Sequence, residues 1–177
     1  KTGLIEYTNK VMNTLQGYIC NSRPRRFGKS VTANMLTAYY SRGCDSADMF
    51  NNLDISKYAD YKEHLNKYDV IHLDIQWCIE PAGGVENVVS YISESTIAEL
   101  REYYPDIISR DAVSLPETLS QINTMTGSKF IVIVDEWDVL IRDENTNSRI
   151  QNEYISFLRA MFKGTEPTKY IQLAYMT

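Results

Sequence analysis

The stretch that decides the fold reads Arg23-Pro-Arg-Arg-Phe-Gly-Lys-Ser30. It follows an apolar-leaning segment, Gly17-Tyr-Ile-Cys-Asn-Ser22, and opens a helical pattern. This is the layout of a phosphate-binding loop between a strand and a helix, and it matches G-x-x-x-x-G-K-[ST] everywhere except at Arg23. In such a loop Lys29 carries positive charge to the phosphates and the Ser30 hydroxyl reaches Mg²⁺. The pattern predicts nucleoside triphosphate binding, and an ordinary basic loop is the alternative.

A second motif lies about a hundred residues further along, Lys129-Phe-Ile-Val-Ile-Val-Asp-Glu136. Its apolar run is typical of a strand buried on both faces of a parallel sheet. Ligands of open α/β sheets bind outside the carboxyl ends of the strands, so these acids and the loop are expected in one crevice. Asp135 is suited to hold Mg²⁺, and Glu136 is the better candidate to deprotonate an attacking water. Acids that merely end a strand and solubilise a loop are the alternative.

Composition limits the class of protein. At 177 residues and 44% hydrophobic content, the chain is expected to form one domain over residues 1–177. A net charge of −5 disfavours nucleic-acid binding by bulk electrostatics. Arg23, Arg25 and Arg26 form a local basic patch, which we interpret as neutralising phosphate rather than contacting DNA, with a solvated basic loop as the alternative.

The cysteines and histidines show no pattern of a metal site built from these two residue types. Cys20, Cys44 and Cys78 are widely spaced, and neither a disulfide framework nor a zinc site is supported. His64 and His72 lack metal-ligand spacing. With no apolar run of about 20 residues and no signal-peptide pattern, we expect a soluble cytoplasmic protein without a membrane partner.

Periodicity predicts strands that alternate with helices. Helices are expected over about 29–41, 84–104, 114–127 and 150–162, the third opened by a Ser114/Glu117 capping box and ended by Gly127, and further strands over 70–75 and 170–176. Asp74 either faces the nucleotide crevice or is an exposed strand residue. The alternation predicts an α/β fold with a parallel sheet, right-handed crossovers and helices on both faces. Because the sequence stops at the end of a predicted strand, we expect a fragment of a longer protein.

The loop and the acidic strand together resemble the AAA-ATPase-like family, whose loop reads R-P-R-R-F-G-K-S and whose acidic strand ends in D-E-Y-D. Here the acidic segment is Val134-Asp-Glu-Trp-Asp138, with Trp137 in place of the usual Tyr. The segments Lys1-Thr-Gly-Leu-Ile5 and Ala174-Tyr-Met-Thr177 are also similar to family motifs. The resemblance explains Arg23, because Arg at this loop position is the family's own pattern.

The resemblance implies a P-loop NTPase of the additional-strand, AAA-like type: a three-layer αβα sandwich, C-terminally incomplete here, with the fourth strand between the loop strand and the acidic strand. It implies that Thr177 can sense the γ-phosphate. Independently of the resemblance, Arg25 or Arg26 can supply positive charge to the transition state, as an arginine finger does. It assigns nucleotide binding to the loop residues Arg23, Pro24, Arg25, Arg26, Phe27, Gly28, Lys29 and Ser30. Family members often carry a C-terminal domain similar to PD-(D/E)XK nucleases, and the resemblance leaves a homo-oligomer open.

The leading hypothesis is an Mg²⁺-dependent ATPase domain that switches or powers an attached module. Lys29 and Gly28 cradle phosphate, Ser30 and Asp135 hold Mg²⁺, and Glu136 activates water. A nucleotide-sensing module with little turnover and a small-molecule kinase are the alternatives. ATP is preferred over GTP only through the family resemblance, although no N-K-x-D guanine-reading motif is present.

Overall fold

The computed structural model describes residues 2–22, 28–144 and 146–177. The chain divides into two compact units. The first comprises Lys1–His72, Lys129–Asp135 and Ile171–Thr177, and the second comprises Leu73–Ser128 and Glu136–Tyr170. The single domain expected over residues 1–177 stays a prediction.

The first unit is built on a four-stranded parallel sheet in the order β1-β4-β3-β2. Its elements are α1 (Gly3–Val11), β1 (Tyr18–Cys20), α2 (Lys29–Tyr40), α3 (Ala47–Phe50), α4 (Tyr61–His64), most of β2 (Asp69–Asp74), β3 (Phe130–Asp135) and β4 (Ile171–Met176), with 3-10 turns at Leu15–Gly17 and Asp54–Lys57. The strand β4 pairs in parallel with both β1 and β3. This order agrees with the fourth-strand position that the family resemblance implies.

The core of this unit lies between α1, α2 and one face of the sheet. Every residue of β3 is buried, as the apolar run predicts for a strand covered on both faces. From α2, a stripe at helical spacing enters the core, and from β3 and β4 alternate residues do so; these are Ala33, Leu36, Tyr40, Ile131, Ile133, Leu173 and Tyr175. The predicted helix over residues 29–41 is therefore confirmed.

Sequence patterning did not predict α1, because two of its buried positions are polar. Thr8 Oγ1 lies 2.6 Å from the hydroxyl of Tyr40, and that hydroxyl donates to Asn9 Oδ1 at 2.7 Å. Asn9 Nδ2 in turn donates to Tyr39, whose hydroxyl donates to a backbone carbonyl of α4 at 2.9 Å. Polar groups satisfied in this way can be buried at low cost, but they interrupt the apolar stripe by which a helix is recognised.

The second unit consists of helices packed on one another. Its elements are α5 (Ile75–Cys78), α6 (Val88–Tyr103), α7 (Leu115–Thr126), α8 (Val139–Arg142), α9 (Ser148–Phe162) and α10 (Pro167–Tyr170), with a 3-10 turn at Val85–Asn87. Three of these, α6, α7 and α9, agree with predicted helices to within a few residues. The buried stripe of α9 has helical spacing and consists of Ile150, Tyr154, Phe157 and Met161.

The predicted capping box at the start of α7 is wrong. Ser114 occupies the N-cap position, but its side chain makes no capping hydrogen bond. The following positions include Pro116, which has no N–H, so one of the two usual donors to a capping oxygen is absent. The Ser114 carbonyl instead accepts from the amide and the hydroxyl of Thr118, at 3.0 and 2.9 Å. The other end follows the prediction, with Gly127 in the left-handed region at φ 73°.

The structure confirms the α/β class and the parallel sheet. The three-layer arrangement, the right-handed crossovers and the helices on both faces stay predictions, as does the cytoplasmic location. Among residues 2–22, 28–144 and 146–177, no helix combines the length and apolar character needed to cross a bilayer.

We predict that the first unit loses stability at alkaline pH through its buried tyrosines. Burial raises the pKa of Tyr39 from 10.0 to about 12, and burial also raises the pKa of Tyr40. The unfolded chain therefore releases these protons first, and the free energy of unfolding falls as pH rises from about 10 towards 12. Urea unfolding at several pH values measures this fall.

Two phenylalanine variants test the assignment. Tyr40→Phe should make the alkaline fall shallower, while lowering stability at pH 8 by about 1–3 kcal/mol because Thr8 and Asn9 lose a partner. Tyr103→Phe is the matched control, since Tyr103 is 73% exposed and should not change the slope. Equal slopes for the two variants would contradict the prediction.

Candidate functional site

The predicted phosphate loop connects β1 to α2. The structure describes its flanks, Asn21 and Ser22 on one side and Gly28 on the other. Outside the described residues lie Arg23, Pro24, Arg25, Arg26 and Phe27. The predicted roles of those five residues in phosphate neutralisation, nucleotide binding and transition-state stabilisation therefore stay predictions.

The helix α2 begins after a glycine in the left-handed region. Gly28 is the N-cap residue and has φ 71° and ψ 37°, a left-handed conformation that costs a residue with a Cβ about 1–2 kcal/mol. Its carbonyl accepts from the amide and the hydroxyl of Thr32, at 3.1 and 2.9 Å. Lys29 and Ser30 form the first turn, half-buried and exposed respectively. The N–H groups of this turn have no partner within the helix and favour an anion.

The direction of α2 follows from its contacts with β2. Near its end, Thr37 Oγ1 lies 3.0 Å from Nδ1 of His72. Just beyond its end, Arg42 forms an ion pair with Asp69, at the start of β2. Because later residues of the helix meet earlier residues of the strand, α2 runs antiparallel to β2. Its N-terminus therefore lies towards the carboxyl edge of the parallel sheet.

Strand register aligns three polar residues along that edge. Met176 of β4 is the partner of Cys20 in β1 and of Val134 in β3. One residue further on in each strand come Asn21, Thr177 and Asp135. The ladder continues through them, because the Asn21 amide donates to the Met176 carbonyl at 2.8 Å and the Thr177 amide donates to the Val134 carbonyl at 2.9 Å.

These three side chains lie on the sheet face that α2 covers. Along a strand, alternate residues share a face. Ile133 and Tyr175 enter the core with α2, so Asp135 and Thr177, two residues later in each strand, point to that face as well. Asn21 does so too, and its Nδ2 donates to the Tyr175 hydroxyl at 2.6 Å. The structure therefore brings Asp135, Thr177 and the start of α2 to the same face and edge of the first unit.

Thr177 stands out within this group. Its side chain is 2% exposed, and its Oγ1 has no hydrogen-bond partner among the residues that the structure describes. A buried hydroxyl without a partner costs roughly 1–3 kcal/mol, so such groups call for an explanation. A polar ligand bound at this edge would supply the missing partner.

The edge combines complementary chemical groups. Asp135 is 2% exposed and contributes a buried carboxylate, which suits a hard cation such as Mg²⁺. Ser30 contributes a hydroxyl of the same hard-oxygen type, while Lys29 and the helix amides suit an anion. The residues present therefore fit a phosphate group together with its metal.

Glu136 begins a different environment in the second unit. It is half-buried and has φ 51°, in the left-handed region that non-glycine residues seldom occupy. Its carbonyl accepts from the Val139 amide at 3.1 Å, which closes a tight turn before α8. Its carboxylate forms an ion pair with Arg142, whose Nε also lies 3.2 Å from Asp138 Oδ1.

Trp137 lies between Glu136 and Asp138 in this turn, and a hydrogen bond to its carbonyl holds its backbone. The hydroxyl of Tyr154 in α9 donates to the Trp137 carbonyl at 2.7 Å. Burial raises the pKa of Tyr154, so this hydroxyl keeps its proton at neutral pH. The turn is therefore attached to the packed helices of the second unit.

Two residues of interest were absent from the sequence-based prediction. Arg142 could have been found from its i+4 spacing after Asp138, which is typical of ion pairs on a helix. Asn21 carries no such signal, because its bond to Tyr175 depends on strand pairing. Asp74 is exposed, as the second of its two alternatives states, and its Oδ1 accepts from the Trp77 amide at 3.0 Å as the cap of α5.

Comparison with known proteins agrees with the residue pattern. A family model described as predicted AAA-ATPase matches residues 1–177. No curated protein and no solved structure matches the chain.

We predict that Thr177→Val stabilises the ligand-free protein by about 1 kcal/mol, because valine has nearly the same shape and removes a buried hydroxyl to which no described residue is hydrogen-bonded. Urea unfolding measures the change. Thr8→Val is the matched control in the same unit: Thr8 is 0% exposed, but its hydroxyl is hydrogen-bonded, so its loss should destabilise. Destabilisation by both variants to a similar extent would show that the Thr177 hydroxyl has a partner.

Proposed function

The chain belongs to the predicted AAA-ATPase family, and on this basis we propose that it binds ATP with Mg²⁺ and hydrolyses it to switch or power an attached effector module. The observation that carries the proposal is the carboxyl edge of the first unit. There the N-terminus of α2 shares one sheet face with the buried Asp135 and with the Thr177 hydroxyl, which has no hydrogen-bond partner among the described residues.

In this proposal, the start of α2 binds the phosphates. The amides after Gly28 donate to phosphate oxygens, and the left-handed backbone of Gly28 lets the chain approach them closely. Lys29 adds a compact positive charge for the β and γ phosphates. Arg25 and Arg26, which lie outside the described residues, would add charge that stabilises the transition state.

In this proposal, Ser30 and Asp135 would hold the metal. When bound, Mg²⁺ neutralises charge that develops on the phosphate oxygens. Asp135 is suited to this role because burial of its carboxylate at the sheet edge favours a nearby cation. Ser30 is exposed in the first turn of α2, where its hydroxyl is accessible to a ligand.

The two remaining roles are those of Thr177 and Glu136. Thr177 would donate its hydroxyl to the γ-phosphate, which gives that buried group the partner it lacks among the described residues. Glu136 follows Asp135 directly in the chain, and we propose it as the base that takes a proton from the attacking water.

We expect Mg-ATP to bind saturably and Lys29→Ala to weaken that binding by roughly tenfold to a hundredfold. A hydrogen bond to a charged group contributes about 1.5–3 kcal/mol, which corresponds to this change in Kd. Isothermal titration calorimetry with Mg-ATP and Mg-GTP measures the affinity and the preference for the base.

Lys62→Ala is the matched control for that titration. Lys62 lies in α4 of the same unit and is exposed, so its removal changes the net charge equally without touching the proposed site. If Lys62→Ala and Lys29→Ala weakened ATP binding equally, the effect of Lys29 would be one of net charge alone. Absence of binding by the folded wild type would contradict the proposed function.

We predict that Glu136→Gln lowers ATP turnover by about a hundredfold or more and changes the Kd for ATP by less than about threefold. Glutamine keeps the size of the side chain but cannot accept the proton from water. Glu153→Gln makes the same replacement at an exposed position of α9 and should leave turnover unchanged. ATP binding without turnover in the wild type would favour a nucleotide-sensing module instead.

A further inference from the structure

We propose that Arg142 is a positioning residue that sets the direction of the Glu136 carboxylate. The inference rests on the proposed function, because it assigns Arg142 a part in the step that Glu136 performs. It also makes a structural claim that holds without turnover: Arg142 connects the two ends of the turn from Glu136 to Asp138. We name these three side chains, Arg142, Glu136 and Asp138, the arginine clamp.

The contacts of the arginine clamp use two different nitrogens of one guanidinium group. Nη2 pairs with Oε2 of Glu136, and Nε lies 3.2 Å from Oδ1 of Asp138. The three side chains are between 27% and 42% exposed, so each is partly shielded from water. Because the guanidinium group is planar and rigid, two contacts on one fork fix the relative orientation of both carboxylates.

The backbone of the turn is unusual at Glu136. A glutamate in the left-handed region has an unusual backbone, which persists only where the surroundings hold it. Its side chain has several rotatable bonds, and each contact that it makes reduces their freedom. The ion pair at Oε2 restricts those bonds, and in doing so it orients the plane of the carboxylate.

The backbone of Arg142 is held by packing and hydrogen bonds. It ends α8, whose residues Val139 and Leu140 are 4% and 0% exposed. The Arg142 amide donates to the Asp138 carbonyl at 3.1 Å, so the helix and the turn share a hydrogen bond. The turn is held a second time where Tyr154 donates to the Trp137 carbonyl. The clamp therefore transmits the rigidity of the packed helices to a single carboxylate.

A catalytic base depends on this kind of restriction. General-base catalysis needs the carboxylate oxygen within hydrogen-bond distance of the proton that it removes. Misplacement by about 1 Å can cost on the order of a hundredfold in rate. Loss of Arg142 should therefore lower kcat, because the base is misdirected, while ATP binding is retained.

The first measurement follows the turn itself and needs no turnover. The chain has two tryptophans, Trp77 and Trp137, and Trp77 is 62% exposed on α5. A Trp77→Phe background leaves Trp137, in the middle of the turn, as the only tryptophan. In that background Arg142→Gln should raise the acrylamide quenching constant of Trp137 by about half or more, because the turn loosens.

The second measurement is steady-state ATP hydrolysis. Arg142→Gln should lower kcat by about tenfold to a hundredfold and change KM by less than about twofold. Arg142→Lys should restore part of both readouts, since it keeps the charge but can hold one carboxylate at a time. Arg110→Gln, which removes the same charge from an exposed position of the second unit, should match the wild type in both.

The outcomes separate this inference from the proposed function. Unchanged quenching, a rise in kcat or a change confined to KM would overturn the clamp. Increased quenching in a protein whose wild type shows no turnover would support the clamp and contradict the proposed hydrolysis. If Arg142→Gln fails to fold, Arg142→Lys decides: an intermediate kcat supports the clamp, and wild-type values overturn it.

Discussion

The pairing of β4 with both β1 and β3 is the interaction on which the rest of the first unit depends. Met176 is the register partner of Cys20 on one side and of Val134 on the other. That register brings Asn21, Thr177 and Asp135 to the same edge, although the first of them lies far from the others in the sequence. A shift of one residue would turn the side chains of β4 to the opposite face, removing Tyr175 from the core and Thr177 from the face that α2 covers.

Asp135 and Glu136 are neighbours in the chain but lie in different environments. The buried, extended backbone of β3 ends at Asp135, and the left-handed conformation of Glu136 begins a turn. Asp135 is 2% exposed, whereas Glu136 is half-buried and paired with Arg142. Adjacent carboxylates can take the separate roles of metal ligand and base when the backbone between them changes direction so sharply.

Much of this architecture could be predicted from local patterns. Helices α2, α6, α7 and α9 and strands β2, β3 and β4 have periodic or continuous apolar residues, and each lies within a few residues of its prediction. The helix α1 could not be recognised, because Thr8 and Asn9 are buried through hydrogen bonds to tyrosines 30 or more residues away. The Ser114 capping bond was predicted from a motif but does not form. The motif does not take account of Pro116, which lacks the N–H of one of the two usual donors. The contribution of residues 23–27 stays a prediction.

The sequence by itself determined the residue types at the candidate site and the elements that carry them. Gly28, Lys29 and Ser30 open a helix, and Asp135 ends an apolar strand, because turn chemistry and apolar periodicity act over a few residues. Only the tertiary structure decided that Thr177 is buried, with a hydroxyl that has no partner among the described residues, and that Arg142 contacts Glu136 as well as Asp138. The burial of Thr177 depends on strand register, and the ion pair between Glu136 and Arg142 depends on the direction in which the turn aims its side chains. Local spacing encodes neither, although the i+4 spacing of Asp138 and Arg142 indicates their own pair.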